Sequence, residues 1–359
     1  MSRATRTAVG LLLAMMSGQV SVSRAGEILP AARQDPPHQD GEKFYNPYSP
    51  RLVEWSRITR LHESEEPLRP PRGEAGKIAH QQADLDLLRN PDPAIPTLTW
   101  LGHSTVLLQY RGINVLTDPI LSDRASPFAA IGPRRYTPQP LAVTELPRID
   151  AVVVSHNHYD HLDLNTVRAL GNSPHWFIPL SNGRWFADQG ITNVTELDWW
   201  QGAQLGELQV MATPSQHWSK RGMFDTNESL WASWVVQWSD FKFWFAGDTG
   251  YNDVQFKQIG ERAGPFDLAA IPIGAYSPRW FMQTQHVNPH EAVTIHREIR
   301  SEYSFGIHWG TYVLTTEPVD EPPRRLAEAR AQQHVAETDF EALVIGRSYR
   351  LGRRPDSVQ

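Results

Sequence analysis

The sequence predicts an α/β protein in which two β-sheets lie between outer helices, a four-layer α/β/β/α sandwich with an N-terminal arm. One observation is a series of short apolar, β-branched runs that alternate with turns and helical segments. Another is that histidines and aspartates follow several of these runs directly. The composition, 359 residues with 40% hydrophobic and 21% charged side chains, allows one domain with a sizeable core or two ordinary ones.

Residues 1–25 are typical of a secretory signal. Arg3 and Arg6 form a basic start, the apolar run that follows is too short to span a bilayer, and Ser23 and Ala25 are small residues where a signal peptidase cleaves. We therefore expect cleavage after Ala25 and an exported protein, periplasmic or associated with the outer membrane. A disordered leader and a membrane anchor are the alternatives.

Residues 26–95 predict an arm that packs on a main domain formed by residues 96–359. Repeated prolines break any long helix in the arm, and the arm lacks apolar periodicity. The stretch 43–60 mixes aromatic and aliphatic residues, which favours packing on the main domain. A disordered linker is the alternative for residues 26–42.

The main domain begins with alternating strand and turn signals. A proline-punctuated segment at 121–146 indicates a long ordered loop of the kind that is usually functional or disordered. Helices are predicted at 164–170, which Gly171 ends, and at 289–299, where Pro289 occupies the first turn. Strands are predicted at 97–101, 104–109, 113–117, 150–154, 176–180, 231–238, 241–245, 268–273 and 304–307.

The densest polar stretch follows the predicted strand 150–154. It contains His156, His158, Asp160, His161 and Asp163. Imidazole and carboxylate ligands suit a borderline-soft divalent ion, with zinc the first choice. His156 and His158 are two residues apart and can reach one ion, whereas the adjacent Asp160 and His161 can reach a second ion beside it. A loop of solvated histidines is the alternative.

This spacing resembles the His-x-His-x-Asp-His signature of the metallo-β-lactamase fold family. The resemblance implies a downstream histidine, then an aspartate and then a final histidine, each at a strand end. His217, Asp248 and His308 occupy these positions. The family fold is the same four-layer sandwich that the strand and helix pattern predicts.

The flanking residues resemble one branch of that family, the N-acylphosphatidylethanolamine-hydrolysing phospholipases D. The likeness runs from about Phe44 to the end of the chain. The segments that carry it are 101–106, 117–120, 156–163, 213–218, 246–251, 264–276, 278–282, 285–287 and 307–311. The predicted export signal departs from the characterised mammalian members, which leaves the compartment and the physiological lipid open.

The resemblance implies two Zn²⁺ ions, with Asp248 bridging them and a water activated between them. The ligands of the first ion would be His156, His158 and His217, and those of the second would be Asp160, His161 and His308. Asp160, Asp248 and His286 are the candidate catalytic residues. His286 would donate a proton to the leaving alcohol or contact the phosphate; a surface histidine without a role is the alternative.

Residues that support the metal ligands through hydrogen bonds are also expected, because metal-bound histidines commonly donate their other N–H to a carboxylate. The candidates are His103, Asp118 and Asp163. For Asp118, a turn residue before a proline is the alternative.

The implied reaction is cleavage of a phospholipid phosphodiester, from N-acylphosphatidylethanolamine to N-acylethanolamine and phosphatidic acid. Two other functions are open: another hydrolase of the fold, such as a lactonase or sugar-phosphate hydrolase, and an iron-binding redox protein. The formal net charge of −6 and the scattered basic residues argue against a nucleic acid partner. A phospholipid and peripheral membrane contact are expected, and a homodimer is left open.

A lipid entrance beside the metal pair is the last expectation. Two stretches could form it: the aromatic part of the arm at 44–55 and the loop 121–146. The loop contains three apolar or aromatic side chains and three arginines that could meet anionic headgroups: Phe128, Ile131, Tyr136, Arg124, Arg134 and Arg135. The alternative is that the arm only covers an apolar face and that the arginines are solvated.

Overall fold

A computed structural model describes residues 35–49, 78–128 and 130–352. The predicted signal at 1–25 lies outside the described residues, as do residues 50–60 of the aromatic stretch 43–60 of the arm. The division into residues 1–25, 26–95 and 96–359 stays a prediction. In the described part of the arm, β1 (Gln39–Asp40) and β2 (Lys43–Phe44) form a short antiparallel hairpin.

The first sheet has seven strands. Its order is β16 (Ser348–Arg350), β3 (Thr97–Gly102), β4 (Thr105–Tyr110), β5 (Ile113–Thr117), β6 (Ala151–Val153), β7 (His175–Pro179) and β8 (Val194–Leu197). The pairs from β16 to β5 are antiparallel, and those from β5 to β8 are parallel. The predicted turn at Arg111 and Gly112 joins β4 to β5.

The second sheet also has seven strands. Its order is β15 (Phe340–Glu341), β14 (Ser304–Ile307), β13 (Leu268–Pro272), β12 (Lys242–Phe245), β11 (Ser233–Gln237), β10 (Leu208–Thr213) and β9 (Gly202–Leu205). The pairs from β9 to β12 are antiparallel, and those from β12 to β15 are parallel. The predicted hairpin around Ser239 and Asp240 joins β11 to β12.

Helices cover the outer faces of both sheets. The helices beside the first sheet are α1 (Leu85–Arg89), α2 (Leu164–Leu170) and α3 (Gly183–Asp188). The remaining helices are α4 (Gln255–Arg262), α5 (Arg279–Met282), α6 (Pro289–Glu298) and α7 (Glu321–Gln333). Phe256, Val293 and Leu326 join α4, α6 and α7 to the core that contains the second sheet.

Strand alternation produces the layers. In β4, Val106 and Leu108 belong to the core between the sheets, whereas Leu107 belongs to the core under the outer helices. Val153 and Val152 in β6 divide in the same way, as expected when successive side chains point to opposite faces. Both faces of the first sheet are therefore buried, and the predicted four-layer α/β/β/α sandwich is confirmed.

The described part of the arm is fastened to the main domain. Phe44 is only 2% exposed and lies in the core, and its backbone N–H donates to Asn227 O at 2.8 Å. His38 Nε2 lies 2.7 Å from Asp198 Oδ1, and its ring stacks on Trp199. Phe44 itself does not line a lipid entrance, because its ring is enclosed by the core, and residues 50–55 of the expected entrance stretch 44–55 lie outside the described residues. None of the helices in the described ranges is long and apolar enough to cross a membrane.

Candidate metal centre

The candidate ligands come from strand ends of both sheets. The loop with His156 follows β6 of the first sheet, and His217, Asp248 and His308 follow β10, β12 and β14 of the second. These strands run so that their carboxyl ends meet at one edge of the sandwich. Side chains separated by as much as half the chain therefore converge there, which is where α/β sheets generally place their chemistry.

Gly247 lets the two sheets approach closely at this edge. It has a φ of +60°, and a Cβ there would lie 2.4 Å from Ser155 Cβ. Ser155 precedes His156 and Gly247 precedes Asp248, so the contact joins the two ligand-bearing loops. Any larger residue would require the strained left-handed conformation and would push the loops apart.

Three histidines form a first group. His156 Nε2 lies 2.8 Å from His158 Nδ1, and His158 Nδ1 lies 3.3 Å from His217 Nε2. These nitrogens all lie within 4.8 Å of one another. Three imidazole nitrogens that face one point are stabilised when a cation among them accepts their lone pairs, so this group can hold a metal ion.

A second group surrounds Asp160. Its Oδ2 lies 3.4 Å from His161 Nε2, 3.5 Å from His308 Nε2 and 3.0 Å from His103 Nε2. His103 was expected to support the metal ligands through a hydrogen bond. Its contact with Asp160 is the one expected of such a support, and its nitrogen also lies among the donor atoms of this group, which are all within 4.8 Å of one another.

Asp248 lies between the two groups. Its Oδ2 is 3.1 Å from both His161 Nε2 and His308 Nε2 of the second group, and 3.8 Å and 4.0 Å from His217 Nε2 and His156 Nε2 of the first. The residue is buried. One carboxylate therefore contacts both groups, which is the position that a bridging ligand occupies.

His286 lies close to Asp248 and to one histidine of each group, His217 and His308. Its Nδ1 is 4.0 Å from Asp248 Oδ2, and its ring centroid is 5.1 Å from that of His217. With His217 and Asp248 it forms a further set of donors close enough to hold an ion. Burial lowers the pKa of His286 well below its usual range, so the ring is uncharged at neutral pH.

The pKa values of the histidines at the centre are shifted in two directions. Burial lowers the pKa of His158 to about 3 and that of His217 to about 4, so both are neutral and can act as ligands at neutral pH. Burial alone would also lower the pKa of His308, but Asp248 and Asp160 raise it to about 9. The two carboxylates therefore stabilise positive charge at the centre.

Asp118 orients one histidine of each group. Its Oδ2 accepts a hydrogen bond from His161 Nδ1 at 2.6 Å, which turns His161 Nε2 toward Asp248. The hydroxyl of Ser155 donates to the same carboxylate and lies 2.9 Å from His156 Nδ1. Asp118 has a φ of +31°, a strained value of the kind that clusters at functional sites.

Asp163 has a different role from the expected one. Its carboxylate caps α2 by accepting from the backbone N–H groups of Asn165 and Thr166, and it also accepts from the Thr166 and Ser122 hydroxyls. These hydrogen bonds occupy the Asp163 carboxylate. They stabilise the start of α2 instead of supporting a metal ligand. The sequence pattern did not separate a helix cap from a ligand support because both are served by an aspartate beside the histidines.

Buried polar atoms without hydrogen-bond partners test whether a metal fits. Among the described residues they include His161 Nε2, His308 Nε2, Asp248 Oδ1 and His286 Nδ1. Such atoms normally cost free energy unless they are satisfied. Three imidazole nitrogens around the carboxylate that carries the fourth atom fit divalent metal ions, whose coordination would satisfy all four.

Comparison with known proteins agrees with this geometry. A family model described as the β-lactamase superfamily domain matches residues 113–309, which include both groups except His103. The chain belongs to the β-lactamase superfamily. N-acyl-phosphatidylethanolamine-hydrolyzing phospholipase D 1 of Caenorhabditis elegans is 45% identical over 270 residues, 71% of this chain and 76% of that relative.

Solved structures of other proteins share the fold of this chain. A metallo hydrolase from Ignicoccus hospitalis matches with a TM-score of 0.55 and 19% identity, over 72% of this chain and 100% of that one. A diiron β-hydroxylase from Streptomyces venezuelae matches with a TM-score of 0.56 and 21% identity, over 73% of this chain and 55% of that one. At these identities the likeness shows the fold alone.

The structure of this metallo-hydrolase adds a residue that sequence reasoning missed. Arg221 Nη1 donates to Asn157 O at 3.0 Å and to Leu162 O at 2.8 Å, and its guanidinium lies over the rings of Tyr159 and Trp185. It thereby holds the loop that carries four of the candidate ligands. No motif marks Arg221, because its partners are backbone carbonyls about sixty residues away.

Proposed function

We propose that this metallo-hydrolase is a dinuclear zinc phosphodiesterase of the phospholipase D type, which cleaves N-acylphosphatidylethanolamine to N-acylethanolamine and phosphatidic acid. The observation that carries the proposal is the 45% identity to the Caenorhabditis elegans phospholipase over most of both chains. The two donor groups on either side of Asp248 support a pair of ions.

The donor sets divide between two ions as follows. His156, His158 and His217 would hold one, Asp160, His161 and His308 would hold the other, and Asp248 would contact both. Two Zn²⁺ ions there would lower the pKa of a water molecule and neutralise negative charge on a phosphoryl group. Burial alone would raise the pKa values of Asp160 and Asp248, but His161 holds both well below their usual range, so both are ionised as ligands must be.

His286 is proposed to contact the phosphate. Its ring is uncharged at neutral pH because burial lowers its pKa. A neutral imidazole can donate a hydrogen bond from one nitrogen to a phosphoryl oxygen, but it is a poor source of a proton for the leaving alcohol. The role of phosphate contact is therefore favoured over that of proton donor.

A lipid substrate also requires an apolar approach to the site. Phe128 and Ile131 on the loop 121–146 are 63% and 69% exposed, and Met223 and Phe224 are 80% and 84% exposed. The segment with Met223 and Phe224 follows Arg221, which contacts the metal loop. We propose that these four side chains face the phospholipid surface, since large exposed apolar side chains can mark an interaction surface.

The arginines of the loop 121–146 are less available than the sequence suggested. Arg134 Nε donates to Asp123 Oδ2 at 2.9 Å, and Arg124 donates to Gly132 O. Arg135 is mostly buried against the ring of Tyr312 and donates to Leu101 O. Each of the three guanidinium groups has at least one protein partner, so the proposed membrane contact rests on the apolar side chains.

Export through a cleaved signal at residues 1–25 is a separate proposal that rests on the sequence pattern. Mass spectrometry of the protein isolated from its native host checks it. A mature chain that begins at Gly26 is expected, and a chain that keeps Met1 would contradict the proposal.

The proposed function is tested by incubating the purified zinc-loaded protein with a phospholipid mixture and, in parallel, with lactones and sugar phosphates. Selective loss of N-acylphosphatidylethanolamine, with equal amounts of N-acylethanolamine and phosphatidic acid formed, is expected. Turnover of lactones or sugar phosphates alone would favour another hydrolase of the fold. Metal analysis of the protein as isolated distinguishes zinc from the iron that a redox protein would contain.

A further inference from the structure

A cluster of buried side-chain amides lies beside the metal centre. We call Asn46, Gln216, Asn252 and Gln255 the amide cluster; each is less than 9% exposed. Asn46 Nδ2 donates to Gln255 Oε1 at 2.8 Å, and Asn252 Nδ2 donates to Gln255 Oε1 at 2.6 Å and to Gln216 Oε1 at 3.0 Å. Burying side-chain amides costs free energy unless their polar atoms are hydrogen-bonded. A group of four buried amides at this place therefore needs an explanation.

Gln216 connects the cluster to three site segments. Its backbone N–H donates to Thr249 Oγ1 at 2.9 Å, and its backbone O accepts from Gly250 N at 2.7 Å. Its side-chain Nε2 donates to Thr284 O at 3.0 Å. Gln216 itself precedes His217. One residue therefore contacts the residues that directly follow Asp248 and the segment that leads into His286.

The contact region around Gln216 is close-packed. A Cβ at Gly250 would lie 2.7 Å from Gln216 Nε2 and 2.8 Å from Thr284 O. The next residue along the chain, Gln285, accepts a hydrogen bond from His217 Nδ1 through its backbone O at 2.9 Å. Because close-packed groups transmit small displacements, a shift of Gln216 would change the distances between the site side chains.

Asn46 brings the N-terminal arm into this arrangement. Its Nδ2 also donates to Ser215 O at 3.0 Å, and its Oδ1 accepts from the backbone N–H of Tyr48. Phe44, two residues before Asn46, is anchored in the core. The arm therefore holds the corner of the chain that leads from β10 to His217, although it is 169 residues away in the sequence.

We propose that Gln216 is a positioning residue that sets the spacing of His217, Asp248 and His286, and that Asn46 makes the N-terminal arm part of the same support. The inference rests on the proposed function in one respect, which is that these three residues form the working metal centre. It assigns the arm a role in the geometry of the site instead of in lipid entry.

The test is Gln216→Glu in the full chain. The substitution keeps an acceptor for Asn252 but replaces the donor to Thr284 O with a second acceptor. We expect zinc affinity, measured by chelator competition, to fall about 10-fold or more, as for other residues that hold metal ligands. The visible absorption of the cobalt-substituted protein should change, and kcat on N-acylphosphatidylethanolamine should fall more than KM changes.

Two further variants make the test specific. Gln237→Glu is the matched control, because Gln237 lies on β11 and its Nε2 donates to Gln209 Oε1 on the exposed side; it should match the wild type in every measurement. Asn46→Asp removes the donor to Ser215 O and Gln255 Oε1 and should lower zinc affinity less than Gln216→Glu does. Circular dichroism and thermal unfolding of the metal-free forms report whether each variant is folded.

The outcomes separate the inference from the proposed function. A folded Gln216→Glu variant with wild-type zinc affinity and cobalt spectrum would overturn the positioning role. If that variant does not fold, Asn46→Asp decides: a changed cobalt spectrum supports the inference and an unchanged one overturns it. Reduced zinc affinity in a protein whose wild type does not cleave N-acylphosphatidylethanolamine would leave the inference standing and reject the proposed function.

Discussion

At the scale of single residues, Asp118 is the side chain that orients ligands of both metal groups. Replacing it with Asn removes the charge that His161 Nδ1 and the Ser155 hydroxyl contact. Asp118→Asn should therefore weaken zinc binding by about 10- to 100-fold, the usual effect of losing such a partner. Chelator competition at equal protein concentration measures the change.

Asp163→Asn is the control for Asp118→Asn, since it removes the same charge from the same part of the structure. Asn caps helices about as well as Asp, so the start of α2 should be retained. Zinc affinity and the free energy of unfolding should both stay close to the wild-type values. A loss of zinc affinity equal to that of Asp118→Asn would show that Asp163 supports the ligands after all.

Asp248 is the residue on which the proposed pairing of two ions depends. Asp248→Asn removes the negative charge that both groups share and weakens the contact with His161 and His308. Bound zinc should fall from about two ions per chain to about one or fewer, and most of the activity should be lost. Elemental analysis after removal of free metal gives the ratio, and full zinc content together with the wild-type rate would contradict a bridging role.

At the scale of secondary-structure elements, α6 contains a buried histidine away from the metal centre. His296 Nδ1 lies 2.8 Å from Ser304 Oγ on β14, and burial lowers the pKa of His296 to about 4. Because the ordinary value is 6.5, the unfolded chain binds this proton more tightly than the folded chain. Its contribution to stability is therefore complete above about pH 6.5 and is lost as the pH falls toward 4.

This titration predicts the behaviour of His296→Gln. Between pH 7 and pH 4.5 the wild type should lose about 2 kcal/mol more of its free energy of unfolding than the variant does. Urea unfolding curves at a series of pH values measure the difference, and contributions from the metal centre cancel in the comparison. Parallel pH dependence in the two proteins would mean that His296 is protonated equally in the folded and unfolded states.

The elements that were predictable from sequence are those with local signals. Helix α2 begins at the Asp163 cap and ends at Gly171, and α6 has a capping box between Asn288 and Glu291. Helix α7 was missed because it buries few apolar side chains, among them Leu326, and its hydrophobic pattern is therefore weak. The short α3 has no side-chain cap to mark its start.

The residues of the candidate site also divide into those with a local sequence signal and those without one. The positions of His156, His217, Asp248 and His308 were predictable because each follows an apolar strand. The contacts of Arg221 and Gln216 were not, and for His103 the sequence predicted a supporting role without identifying Asp160 as its partner. These contacts depend on how separate loops pack, and no local pattern encodes them.

At the scale of the whole molecule, the metal centre exists only where the two sheets meet. His156, His158, Asp160 and His161 come from the first sheet, while the remaining ligands come from the second. Gly247 permits the close approach of the ligand loops, and the amide cluster adds the N-terminal arm. The fold therefore positions the side chains of this site, which we propose directs water to phosphorus.

Hydrolysis of N-acylphosphatidylethanolamine by the zinc-loaded protein in ¹⁸O-enriched water tests whether water attacks phosphorus. Mass spectrometry of the two products locates the oxygen that water supplies. Attack of water on phosphorus places one ¹⁸O atom in phosphatidic acid and none in N-acylethanolamine, because the bond between phosphorus and the ethanolamine oxygen is the one that breaks. Incorporation into N-acylethanolamine, or release of a fatty acid that carries the label, would contradict it.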